Sequence, residues 1–174
     1  VGAFFERLWA FIQELQPVRI VRSIEQGVLF VNGQHSEKPL PAGVYAIVPF
    51  FDAIEIVNCQ EDALDLPIQS ITTTCGKQVS LSANVIYKVK DAVLWYTSVR
   101  DFDENIQRLA TRHIMARVRD WSWAELCAGQ KELEQSLRGT LETRAKRWGV
   151  EIVDVGFDTM VQARQYRIFG GGPH

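Results

Sequence analysis

Between Gln78 and Lys90 the chain alternates almost without fault. Val79, Leu81, Ala83, Val85, Tyr87 and Val89 fall on one parity; Gln78, Ser80, Ser82, Asn84, Lys88 and Lys90 fall on the other, and only Ile86 breaks the rule. Successive side chains of a strand point to opposite faces, so this period predicts a long strand with one buried face. Just upstream, Ile68-Gln69-Ser70-Ile71-Thr72-Thr73-Thr74 is rich in β-branched residues, and Cys75-Gly76-Lys77 supplies a glycine for the reversal. The stretch Leu66–Asp91 is therefore predicted to be a long β-hairpin.

The remaining segments are read around that hairpin. Val18 to Gln34 reads as a first hairpin, with Val18, Ile20 and Ile24 on one face, Gly27 at the turn and Val28–Val31 returning. Gly43–Pro49 and Ala53–Gln60 read as two further strands, separated by Phe50-Phe51-Asp52. The second half turns helical. Short helices are predicted over Asp91–Val99 and around Leu126, the latter opened by Ser122 and Glu125 at capping-box spacing. Longer ones are predicted over 101–119, with Phe102, Ile106, Leu109 and His113 on one face, and over 130–148, with Leu133, Leu137, Leu141 and Ala145 at i+4 spacing. Gly149 ends the last helix, and Glu151–Phe157 closes the fold as a strand. Strands first and helices after, with one strand returning, predict an α+β domain: a largely antiparallel sheet of hairpins with helices packed on one side.

Several segments, in this order and spacing, resemble the SPFH or band-7 family of stomatin, prohibitin and flotillin domains, most nearly its stomatin-like subgroup. They are Gly27-Val28, Leu40-x-Ala42-Gly43-Val44, Pro49-x-x-Asp52, Gln69-x-Ile71-x-Thr73, Gly76, Tyr87-Lys88-Val89-x-Asp91 and Trp148-Gly149-Val150-Glu151. The resemblance places an SPFH domain at 18–160, a separate N-terminal helix at 1–17 and an extension at 161–174. It implies a membrane-associated, non-enzymatic scaffold that forms a homo-oligomer and organises or regulates membrane proteins, a membrane protease among the candidate partners. Two positions depart from the family pattern: Gly129-Gln130 replaces an acidic-arginine pair, and no proline follows the closing strand. Both bear on subunit contacts.

The N-terminal segment carries the second strong pattern. Phe4, Phe5, Leu8, Trp9, Phe11, Ile12 and Leu15 recur at helical spacing, Glu6, Arg7, Gln13 and Glu14 lie opposite, and Pro17 ends the run. A helix of this length spans about 22 Å, too short for the hydrocarbon core. The residues alone leave two readings open, an interfacial helix lying among lipid headgroups or a helix packed on protein. The resemblance favours the membrane, and Phe4, Phe5, Leu8, Trp9, Phe11, Ile12, Arg19 and Arg22 become candidate membrane contacts. The alternative is a soluble adaptor or regulator of a membrane-bound protease with the same fold. The chain begins at Val1 and ends on Gly170-Gly171-Gly172-Pro173-His174, so it reads as part of a longer protein.

Catalytic chemistry finds little footing. With 174 residues, 47% of them hydrophobic, and a net charge of −2, the chain suits one domain without the concentrated basic surface of a nucleic-acid binder. His35, His113 and His174 have no partners at metal-ligand spacing, and Cys59, Cys75 and Cys127 form no C-x-x-C pair. No catalytic, cofactor or metal residue is assigned. His113 reads as a core-edge histidine held by a local partner, and Ser70, Ser80 and Ser82 as a cross-strand face. Cys75 reads as an exposed turn residue, a reactive or lipidated thiol being the alternative. Arg117, Arg119, Arg144, Lys146 and Arg147 read as solvated helix faces; only Arg19 and Arg22 lie near the proposed anchor.

Overall fold

The computed structural model describes Glu6, residues 18–48 and residues 50–163. The helix expected at 2–16, with the candidate contacts Phe4, Phe5, Leu8, Trp9, Phe11 and Ile12, lies outside the described residues except at Glu6. The order of elements is β1 (Val18–Val21), β2 (Glu25–Val31), β3 (Gln34–His35), β4 (Gly43–Ala46), β5 (Asp52–Asn58), β6 (Glu61–Thr72), β7 (Gln78–Val89), α1 (Ala92–Ser98), α2 (Phe102–Asp120), α3 (Trp123–Ala128), α4 (Gln130–Ala145), a 3-10 turn (Lys146–Trp148) and β8 (Val150–Ala163). This is the α+β arrangement of antiparallel sheets and helices that the patterning predicts. The strands are shared among three sheets, ordered β1-β4, β3-β2-β5 and β6-β7-β8. The chain forms two compact units: one takes residues up to Asp62, Ile86–Phe102 and Glu142–Val153, the other Ala63–Val85, Asp103–Leu141 and Asp154 onward.

The first unit corrects the opening hairpin. Gly27 lies inside β2, not at a turn, and β1 pairs with β4 instead of β2. A Cβ at Gly27 would stand 3.0 Å from Ile54 and 3.1 Å from Val21, so the glycine allows close packing. Its N–H and carbonyl also pair with Leu40, at 3.0 and 2.7 Å. The hairpin that does form is β2–β3, turning at Asn32-Gly33 with φ of 50° and 81°. That is the two-residue turn whose twist suits paired strands, and Asn-Gly is its usual sequence. The core of this unit gathers Val28, Val57, Val89, Ala92 and Val93, with Phe30, Cys59 and Trp95 against it. Beside it, Phe102 stands 4.7 Å from Tyr87, 4.9 Å from Trp95 and 5.8 Å from Trp148, ring centre to ring centre.

The Trp148-Gly149 step has a clear physical basis in this unit. Gly149 adopts φ 73° and its carbonyl accepts from both Lys90 (2.8 Å) and Asp91 (3.0 Å). A Cβ on Gly149 would lie 2.5 Å from the Asp91 carbonyl oxygen, which leaves glycine alone able to fit. Asp91 in turn caps α1, its carboxylate accepting from the N–H groups of Val93 and Leu94.

In the second unit the long hairpin turns as expected. Gly76, with φ 75°, donates to the Thr73 carbonyl over 3.0 Å, and Thr73 donates to Lys77 over 2.9 Å. Strand β6 begins well before the β-branched run and passes through Pro67, which an edge strand tolerates. Every odd residue of β7 from Val79 to Val89 is buried and every even one is half-buried, as the period requires. Helix α2 turns Ile106, Ala110, Ile114 and Val118 inward, leaving Leu109 and His113 at the edge of the buried stripe instead of its centre. Gln69 of β6 reaches α2 directly, its Nε2 donating to Thr111 Oγ1 over 2.6 Å. Leu133, Leu137 and Leu141 of α4 are buried as predicted. Strand β8 runs six residues beyond the predicted Phe157, to Ala163. It is antiparallel to β7, since Lys90 meets Gly149 while Asn84 meets Asp158.

Candidate membrane-facing surface

The site is built from two short elements of the first unit. In the ribbon of β1 and β4, Ile20 stands opposite Val44 and Val18 opposite Ala46. Alternation along each strand puts Val18, Ile20, Val44 and Ala46 on one face. That face is bare: Val18 is 50% exposed, Ile20 62% and Val44 69%. The other face carries Val21, buried against Gly27, and Tyr45, whose hydroxyl donates to the Pro41 carbonyl over 2.8 Å. That other face is mixed, with Val21 buried, Tyr45 half-buried and Arg19 exposed, so the apolar face is the one left uncovered.

The second element is the turn between β4 and β5. The Asp52 carboxylate accepts from the Val48 N–H (3.0 Å), while the N–H groups of Phe51 and Asp52 return to the Val48 carbonyl at 3.2 and 2.9 Å. This local bonding fixes a tight turn and frees the rings it carries. Phe50 is 86% exposed and Phe51 63%. Phe50 also holds φ 75°, a left-handed conformation that a bulky residue enters only at a cost of about 1–3 kcal/mol. Adjacent large apolar residues at a turn tip, outside the buried core, make a candidate contact surface.

Arg19 and Arg22 are both exposed, but the ribbon sets Arg19 on the face opposite Ile20. Arg22 sits in the turn after β1, where its N–H donates to the Glu25 carboxylate over 3.0 Å. The structure thus brings neither arginine onto the bare face, and adds Ile20, Val44, Val48, Phe50 and Phe51, which sequence reasoning did not select. A signal for the turn pair was available, because Phe50-Phe51 falls where a connecting loop is ordinarily polar.

The reactive side chains have local roles. His113 lies between Ser136 Oγ (3.1 Å from Nε2) and Thr140 Oγ1 (3.3 Å from Nδ1); burial, then the Arg117 charge, push its pKa down. Ser70 and Ser80 share a cross-strand hydrogen bond of 3.0 Å. Cys75 is exposed at the β6–β7 turn, where the Thr73 side chain first, and then the Trp123 backbone, lower its pKa to about 7. Among the described residues no three His, Cys, Asp or Glu side chains gather to hold a metal, and no helix is long and apolar enough to cross a membrane.

Residues 19–167 match the SPFH domain / Band 7 family, most of the length of the chain. The chain belongs to that family. Among the relatives of this SPFH domain are a stomatin homolog of Pyrococcus horikoshii, 24% identical over 138 residues (79% of this chain, 52% of that protein), and stomatin of Mus musculus, 22% identical over 151 residues (83% of this chain, 53% of that protein). An uncharacterized protein of Methanothermobacter thermautotrophicus is 26% identical over 138 residues, 79% of this chain and 43% of its own. The SPFH domain described here spans about half the length of the curated relatives it matches.

Proposed function

We propose that this chain is the domain of a membrane-associated, non-enzymatic scaffold that self-associates and organises or regulates membrane proteins. The observation that carries the reading is the bare apolar face of the β1–β4 ribbon, followed by the exposed Phe50-Phe51 turn. Val18 opens that ribbon directly after the aromatic segment 1–17, so the segment and the ribbon are tethered at one point. In this reading residues 1–17 lie in the headgroup region through Phe4, Phe5, Leu8, Trp9, Phe11 and Ile12, and the ribbon and turn seat the domain against the same surface. Arg22 adds attraction to anionic headgroups at the edge. Membership of the family that includes stomatin supports the scaffold role.

Liposome flotation tests it, with the full chain beside one beginning at Val18, the pair Ile20→Glu/Val44→Glu and the pair Phe50→Ser/Phe51→Ser. The full chain floats and each of the others partitions less. Losing two phenylalanines that would otherwise enter the bilayer weakens partitioning by about tenfold or more. If the full chain stays at the bottom of the gradient, the membrane reading fails. The bare face then belongs to a protein contact, and the soluble regulator of a membrane-bound protease takes its place, to be sought by pull-down from a detergent extract.

A further inference from the structure

A concavity of about 480 Å3 lies in the first unit among the end of β5, the start of β6, strand β7 and helix α1. Three aromatic side chains, Tyr87, Trp95 and Tyr96, line it together with two carboxylates, Glu61 and Asp62, and no Lys, Arg or His among the described residues does so. The aromatic wall is held from behind. Tyr87 and Trp95 are nearly parallel (19°) with centroids 6.3 Å apart, and Phe102 braces both. Tyr96 is 49% exposed and rests edge-on against Phe30, at 5.3 Å. Beyond Tyr96 a second hollow of about 370 Å3 carries Asp52 and Glu55, again without a basic residue among those described. Carboxylates thus line both of these hollows, while Arg100 lines a third that Trp95 and Tyr96 also border.

Aromatic faces and carboxylates favour the same guest, a cation, by different means. The ring quadrupole attracts positive charge and its carbon surface accepts apolar atoms. A hard metal ion would need a cage of oxygen ligands, and among the described residues no three His, Cys, Asp or Glu side chains gather to supply one. A methylated ammonium matches both features, since its methyl groups cover ring surface while its charge faces Glu61 and Asp62. We propose that this cavity binds a quaternary ammonium group, whether carried by a free choline-like amine or by a lipid headgroup. The first hollow shares no lining residue with the ribbon face or the Phe50-Phe51 turn, so binding there is tested apart from the membrane reading; the second hollow does border Phe50 and Phe51.

The test is a titration of the 15N-labelled full chain with choline chloride at constant ionic strength, with sodium chloride as the reference. The readouts are the Trp95 indole and Tyr96 amide resonances. Saturable shifts at both are expected with choline and not with sodium. Tyr96→Ala and Glu61→Gln, both at exposed positions, each weaken binding about three- to tenfold. Trp95→Phe keeps a ring and retains part of the affinity, and Glu37→Gln, an exposed acid elsewhere in this unit, leaves it unchanged. The source is settled on phosphatidylcholine and phosphatidylglycerol vesicles. A preference for phosphatidylcholine that Tyr96→Ala abolishes and free choline competes away assigns a lipid headgroup. Saturable choline binding in solution without that preference assigns a free amine. Equal shifts with choline and sodium, or choline shifts and a vesicle preference both indifferent to Glu61 and Tyr96, overturn the proposal.

Discussion

A single turn sets the reactivity of Cys75. With its pKa lowered to about 7 by the Thr73 hydroxyl and the Trp123 amide, the thiol is about half ionised at neutral pH, against about 1% for one titrating near 9. A less basic thiolate is also a weaker nucleophile, which takes back roughly a factor of ten and leaves a net advantage of about fivefold. Alkylation by iodoacetamide at pH 7, followed by mass spectrometry, is expected to mark Cys75 about fivefold faster than a free-thiol peptide, and Thr73→Val to remove that lead. His113 works in the opposite sense, as a group that folding keeps neutral. Its pKa is lower folded than unfolded, so its contribution to stability is present above about pH 6.5 and is lost as pH falls through the folded value. Urea midpoints measured from pH 7.5 down to 5 are expected to fall less in His113→Gln than in the unaltered protein. At Gly149 the constraint is steric. Gly149→Ala requires both a left-handed alanine and a clash with the Asp91 carbonyl, and is expected to cost about 2–4 kcal/mol in chemical denaturation.

Whether an element could be read in the sequence depended on whether its constraint was local. The β7 strand was legible because its alternation is unbroken from Gln78 to Val85 and its burial follows the same parity. The α3 helix was legible for a similar reason. Ser122 accepts from the Glu125 N–H while the Glu125 carboxylate accepts from the Ser122 N–H, two bonds made within four residues. Replacing Ser122 by alanine is expected to lower stability by about 1 kcal/mol, measured by urea denaturation. The pairing of β1 with β4 was not legible, because that ribbon joins segments over twenty residues apart and nothing in Val18–Val21 names its partner. Gly27 was placed at a turn since glycine serves both turns and close-packed strands; the nearby Asn32-Gly33, whose left-handed φ values suit the true reversal, carried the better signal. The early start of β6 was hidden by Glu61, Asp62, Asp65 and Pro67, which an exposed edge strand accepts. Of the candidate surface, the aromatic segment is proposed from its spacing alone and lies outside the described residues except at Glu6. The ribbon face could not be read, because Ile20 and Val44 look like core residues until the register places them outward.

On the scale of the whole molecule, strands β6, β7 and β8 each give residues to both compact units. A strand cannot leave one unit and stay ordered in the other, so the two are expected to melt together. Gly149→Ala in one and Leu137→Ala in the other, the latter costing about 2–5 kcal/mol, should each shift one common transition followed by tryptophan fluorescence and far-ultraviolet circular dichroism. Two separated transitions in either variant would contradict this. The same interleaving orders events during synthesis. The unit that bears Ile20, Val44 and Phe50 also takes Glu142–Val153, so its final segment leaves the ribosome about a hundred residues after its first strands. At about 5–20 residues per second, that lag lasts on the order of ten seconds. In the proposed membrane reading, attachment through residues 1–17 can therefore precede completion of the fold.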